Sequence, residues 1–161
     1  MLPDLTLQLY DVSVVVGADA ELDERSVDDV DRTEDVIVSQ WRQVSAYEKH
    51  KMREQLDEIL RPLGFETSLL VIRRANSIAL YFFCMTLMAF MNLRVQWGNG
   101  QLTDIVQSLF TFLSRATCQV RVKKLSWPLA DYERCSEFFH SFQGKKIIGI
   151  IPQSSWAAEL Q

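Results

Sequence analysis

Residues 77–95 read "SIALYFFCMTLMAFMNLRV", and the fold turns on how that stretch divides. From Ile78 to Met91, fourteen residues run with only Thr86 to interrupt the apolar series. A membrane span, a buried core segment and a surface kept apolar for a partner would each produce such a run. A spanning helix needs about 20 apolar residues, and Asn92 and Arg94 end this run too soon. Membrane insertion is therefore not expected.

The first half of the stretch pairs with what precedes it. "TSLLVIRR" (67–74) and "SIALYFFC" (77–84) are rich in β-branched and aromatic residues, and Ala75-Asn76 between them suits a tight turn. An antiparallel hairpin follows. On the second strand Ile78, Leu80, Phe82 and Cys84 project one way, and Ala79, Tyr81 and Phe83 the other. A strand covered on one face should alternate with polar residues, and this one does not. One set is expected to meet helices. The other needs cover from residues 85–97, from the C-terminal tail, or from another molecule. Burying a Leu or Phe gains about 1.5–3 kcal/mol, so an uncovered set would drive binding. The second half stays open: Leu93, Val95 and Trp97 alternate as in a strand, whereas Met, Leu and Ala in 85–91 favour a helix. "GNG" at 98–100 is a break.

Outward from the hairpin the pattern is regular. "LTLQLYDVSVVV" (5–16) alternates as a strand ending at Gly17. Residues 18–35 hold nine acids and two arginines, a net of −7, and read as a mobile acidic loop. Asp19, Glu21 and Asp23 alternate as calcium ligands would, but the central Gly and the terminal Glu of such a loop are missing. Thr33 can cap a helix carrying Val36, Ile37, Trp41 and Val44. Met52, Leu56, Ile59, Leu60 and Leu63 continue a helical face to Pro62 and Gly64, as one bent helix or two. Residues 102–115 form a helix with Leu102, Ile105, Val106, Leu109, Phe112 and Leu113 inward. Residues 117–125 form a strand with Cys118, Val120 and Val122 inward. A helix over 129–142 turns Leu129, Tyr132, Cys135, Phe138, Phe139 and Phe142 to the core. The tail, 143–161, contains "KKIIGIIP" and reads as an edge strand or a docking segment. The order β-α-β-β-α-β-α predicts an α+β, ferredoxin-like two-layer sandwich with a four-stranded antiparallel sheet.

Composition sets the class. With 161 residues, 48% hydrophobic and 24% charged, the chain reads as one globular domain, 1–161. Asp4 and Asp11 and the lack of a basic region make a poor signal peptide, so a cytoplasmic setting is expected. Cys84, Cys118 and Cys135 are odd in number and widely spaced, which suits reduced core thiols better than a disulfide or metal framework. Cys135 and His140, five apart, do not share a helix face. No cofactor and no metal are expected. His50 lies among Lys49 and Lys51, His140 at a helix end, and Glu133 and Glu137 flank Arg134 on a charged face. None of the common catalytic motifs is present, and no catalytic residue is assigned. Outside the acidic segment the net charge is +3, with no arginine or lysine stripe dense enough for nucleic acid.

One set of residues resembles a known family. "LADYERCSEFF" (129–139) resembles the LAD-x-ERC helix of the N-terminal, TRAF-binding domain of the TNF receptor-associated death domain adaptor (TRADD-N). "FC" at 83–84, "LR" at 93–94, Gly100, Leu102 and "QSL" at 107–109 fall in that domain's order and spacing, and "MREQLDEIL" (52–60) is similar to its first long helix. The resemblance covers about residues 48–137. It implies helices on one side of a four-stranded sheet, a helical 85–97, no catalysis, and binding of a TRAF-type C-terminal domain through the free sheet face and a nearby loop. The contact positions it implies are Ser13, Val15, Ile78, Lys123, Gln143, Lys145 and Lys146. The pattern of alternation independently places Val15, Ile78 and Lys123 on an outer or unassigned face. The reading is thus a TNF-receptor-type signalling adaptor domain. The alternative is a regulatory domain that covers its apolar strand by pairing with a second copy.

Overall fold

The structure is a computed structural model, and it describes residues 14–46, 52–114 and 120–141. Strand β1 spans Val14–Leu22. Helices α1 (Val30–Ala46) and α2 (Arg53–Leu60) follow, and a 3-10 turn (Arg61–Leu63) leads into β2 (Thr67–Arg74) and β3 (Ile78–Cys84). Helices α3 (Leu87–Gly98) and α4 (Gln101–Leu113) return the chain to β4 (Val122–Ser126), and α5 (Leu129–Ser141) closes it. The sheet is antiparallel throughout, in the order β2-β3-β1-β4. Each crossover therefore carries two helices, where the sequence predicted one or left the count open.

Thr86, the one polar residue in the apolar run, is where the run changes structure. Its hydroxyl accepts a hydrogen bond from the Ala89 N–H at 3.1 Å, in the extended conformation of an N-cap. Residues 78–84 are thus strand and 87–98 helix, which decides the stretch that the sequence left open in favour of the helix. The alternation there was misleading because polarity is inverted: Gln96 is buried with its amide donating to the Pro62 carbonyl at 2.8 Å, while Val95 faces water. Thr86→Ala is expected to lower stability by about 1 kcal/mol, read from urea unfolding.

Residues 18–35 are not one loop: 18–22 belong to β1, 23–29 turn the chain, and 30–35 open α1. Ala18, Ala20 and Leu22 are buried beneath the helices, and Asp19 and Glu21 line the opposite, wet side of β1. The alternation that mimicked calcium ligands is the pleat of a strand. Asp23 closes the turn that follows, accepting from the Arg25 N–H at 2.9 Å, and that hydrogen bond holds its carboxyl below the usual range. Asp29, not Thr33, caps α1: its carboxylate accepts from the Arg32 N–H at 3.1 Å.

The core lies between the helices and one face of the sheet. Val16, Ala18, Ala20 and Leu22 of β1 join Ile78, Leu80, Phe82 and Cys84 of β3 there. Ile37, Val38, Trp41 and Val44 of α1, Leu102, Val106 and Leu109 of α4, and Cys135 and Phe139 of α5 complete it. Small β1 residues sit opposite large β3 ones, Ala18 against Leu80 and Ala20 against Ile78. A Cβ at Gly17 would lie 3.3 Å from the Tyr81 ring, so a larger residue there needs that ring to give by a few tenths of an ångström. No described helix is long and apolar enough to cross a membrane. The expected strand residues 5–13 and 117–119 and the tail 143–161 lie outside the described residues.

Candidate protein-docking surface

The second face of the sheet was the expected contact surface, and the structure closes most of it. Val15, Ala79 and Tyr81 form a small cluster of their own, 5–8% exposed, flanked by half-buried Val71 and Phe83. Arg73 lies over the Tyr81 ring at 5.2 Å and donates to its hydroxyl at 3.1 Å. Strand β3 therefore carries no bare apolar stripe, contrary to the sequence expectation.

Of the seven contact positions that the resemblance implies, three lie among the described residues. Ile78 is fully buried in the helix-side core, at 0% exposure, so it is not available to a partner. Its misplacement has a simple cause: both sets of side chains on β3 are apolar, and alternation alone cannot then say which face is which. Val15 does lie on the outer face but is buried at 6%. Lys123 is exposed on β4 and sits 3.6 Å from Glu21. Ser13, Gln143, Lys145 and Lys146 lie outside the described residues.

The bare apolar surface is on α3. Met88, Met91 and Val95 are 71%, 50% and 61% exposed, and they stand three and seven residues apart, one helix face. Met85, just before the cap, is exposed as well. On the opposite side Ala89, Phe90 and Leu93 are buried. Apolar side chains thus stand on both the buried and the exposed side of the helix, with Asn92 the polar residue among the exposed ones. This is the surviving form of the excess apolar content in the sequence. Its signal was available in the helical spacing of Met88, Met91 and Val95, but the alternation of 92–97 left helix and strand both open.

The stripe is displayed on a rigid mount. Phe90 packs against Trp127, Tyr132 and Phe139 with ring centroids 5.4–5.8 Å apart. Trp97 donates its indole N–H to the Leu125 carbonyl at 2.9 Å. The Arg94 guanidinium is held among Trp97, Trp127 and Tyr132, at 4.4, 5.0 and 4.0 Å from their ring centres. These contacts tie α3 to the β4–α5 junction, and cation–π pairs of this kind contribute about 0.5–2 kcal/mol each. Leu129, expected in the core, is instead exposed at the start of α5.

Titratable groups elsewhere are occupied structurally. Burial pushes the Cys84 thiol up to about 12, which leaves it unreactive as a nucleophile. Cys118 lies outside the described residues, as does His50. His140 Nδ1 lies 2.7 Å from the Ser136 carbonyl oxygen one turn back on α5, and Glu133 and Glu137 are exposed. Arg74 bridges β2 to the first turns of α1, with Nη2 3.2 Å from Asp31 and 3.1 Å from Glu34, and Nη1 2.6 Å from Asp35. Glu34 is buried, and that burial raises its carboxyl above the usual range against the pull of Arg74. Among the described residues no group of three or more His, Cys, Asp or Glu side chains is placed to hold a metal ion.

Comparison with known proteins found no matching family model, no similar curated protein and no similar solved structure.

Proposed function

We propose that this chain is a non-catalytic protein-interaction module of the adaptor type, and that it docks through α3. The observation that carries the reading is the exposure of Met88, Met91 and Val95 on one face of a helix whose other face is locked into the core. Methionine is flexible and polarizable, and it recurs on surfaces that accommodate protein partners. A helix of this kind offers a ridge to a groove or to another helix. The ferredoxin-like description belongs to the same reading. Support for it comes from β3 lying between β1 and β2, which splits the first β-α-β unit. The LAD-x-ERC resemblance supplies the partner to try first, a TRAF-type C-terminal domain in TNF-receptor-type signalling.

Calorimetric titration of a TRAF C-terminal domain into the full chain tests this directly. The wild type should bind, and Met88→Ser/Met91→Ser/Val95→Thr should bind at least tenfold more weakly. Covering each of these half-exposed side chains is worth about 1 kcal/mol or more. Because all three face water, their replacement should shift stability by no more than about 0.5 kcal/mol each. Lys123→Glu, on β4, should change affinity little. Equal binding by wild type and triple variant would remove α3 as the site. No binding by the wild type would remove the TRAF-type partner, and sedimentation over a concentration series would then ask whether the stripe pairs with a second copy.

A further inference from the structure

A second surface, sharing no residue with the α3 stripe, runs along the outer edge of β2. In the order β2-β3-β1-β4 this strand is terminal, and among the described residues it pairs with β3 alone. Every second residue of such a strand turns its N–H and C=O outward, a ready template for another strand. Two cavities line the whole of that edge and meet at Trp41. One, of about 600 Å³, follows Thr67–Leu69 and is floored by Leu56, Leu60 and Leu63, with Phe65 fully exposed at its rim. The other, of about 500 Å³, follows Leu70–Arg74 and is bounded by Arg42 and Ser45 of α1. The strand's own irregularity falls at the join, where the register skips Leu70 between Leu69 and Val71.

The two ends differ in chemistry. The Thr67 end is apolar. At the Arg74 end the cavity is lined by Arg42, Arg73 and Arg74, with the Arg73 guanidinium turned to Tyr81. Arg74 is committed to Asp31, Glu34 and Asp35, whereas Arg42 makes no ion pair among the described residues. Arg73 spends Nη2 on the Tyr81 hydroxyl, and its buried Nε–H has no hydrogen-bond partner. Unmet buried donors are uncommon in folded proteins and ask for an acceptor.

We propose that the groove between β2 and α1 is a strand-addition site for an extended peptide of a partner protein. The peptide is acidic where it passes Arg42 and Arg73 and apolar where it passes Leu56, Leu60 and Leu63. Its backbone extends the sheet by one strand, and its alternate side chains enter the two cavities. Charge selects the half and direction of the peptide, while the bulge at Leu70 sets its register.

A fluorescent eight-residue peptide, the length of β2, tests this against the full chain. It carries Asp and Glu in one half and Val and Leu in the other, and it is made in both sequence directions. One direction should bind and should slow amide exchange along Val71–Arg74. Methylating alternate backbone nitrogens should abolish binding, because the peptide then loses its donors. Arg42→Glu and Arg73→Glu should each weaken binding at least tenfold, with the unfolding transition followed in parallel to show that both variants fold. Four results would overturn the proposal. They are no binding in either direction, equal binding of the methylated peptide, indifference to both charge reversals, and concentration-dependent pairing of the chain with itself through this edge.

Discussion

Replacing Phe90 by alanine should lower the unfolding free energy by about 3–5 kcal/mol, the range for deleting a large buried aromatic side chain. The ring is 1% exposed and contacts three others, Trp127, Tyr132 and Phe139, all from the stretch 127–139. Its removal leaves a hole that the rigid indole of Trp127 cannot fill. For a chain of this length each kcal/mol moves the midpoint by about 2–4 °C, so thermal unfolding should shift by about 6–20 °C. The neighbouring residue supplies the contrast. Met91→Ala, one position along the same apolar run, should change stability by no more than about 0.5 kcal/mol because that side chain is half in water. Equal effects at 90 and 91 would mean that the run is not a helix with one buried face.

The second large effect is expected at Arg74. This one cation faces Asp31, Glu34 and Asp35, and Glu34 is buried. Arg74→Ala leaves that carboxylate without its partner. Breaking a fully buried pair costs about 3–5 kcal/mol, and the partial exposure of the arginine reduces the expected loss to about 2–3 kcal/mol. Glu34→Gln in the Arg74→Ala background should recover most of it, since the charge left behind is the source of the cost. The pH dependence has a definite sign. Burial raises the Glu34 carboxyl above the ordinary 4.5 in the folded chain, so the folded state holds this proton more tightly than the unfolded state. The resulting contribution is complete below the ordinary glutamate range and is lost as pH rises through the raised value. Urea unfolding across that window should therefore show a shallower pH dependence for Glu34→Gln than for wild type.

Much of this was legible in the sequence, and the failures share a physical cause. The β2–β3 hairpin could be read because β-branched runs flank a short turn, and α4 because its apolar residues keep a helical period. The hairpin pairs as expected, from Thr67 opposite Cys84 to Arg74 opposite Ile78. The reading failed where polarity and burial part company. On β1 the inward residues are Ala18 and Ala20, too small to signal a core, while the acids between them looked like a loop. On α3 an amide points in and a valine points out, which inverts the cue that separates helix from strand. On β3 both faces are apolar, so the side on which Ile78 lies could only come from the register with β1. The contact surface suffered most, because it depends on which apolar residues are left over after packing.

Protection of the α3 methionines from oxidation is the most direct test of where that remainder lies. Hydrogen peroxide footprinting read by mass spectrometry would compare Met88 and Met91 in the chain alone and with a saturating TRAF C-terminal domain. The expected result is rapid oxidation of both in the free chain and strong protection of both in the complex. Slow oxidation in the free chain, or unchanged rates with the partner present, would contradict a docking role for this helix.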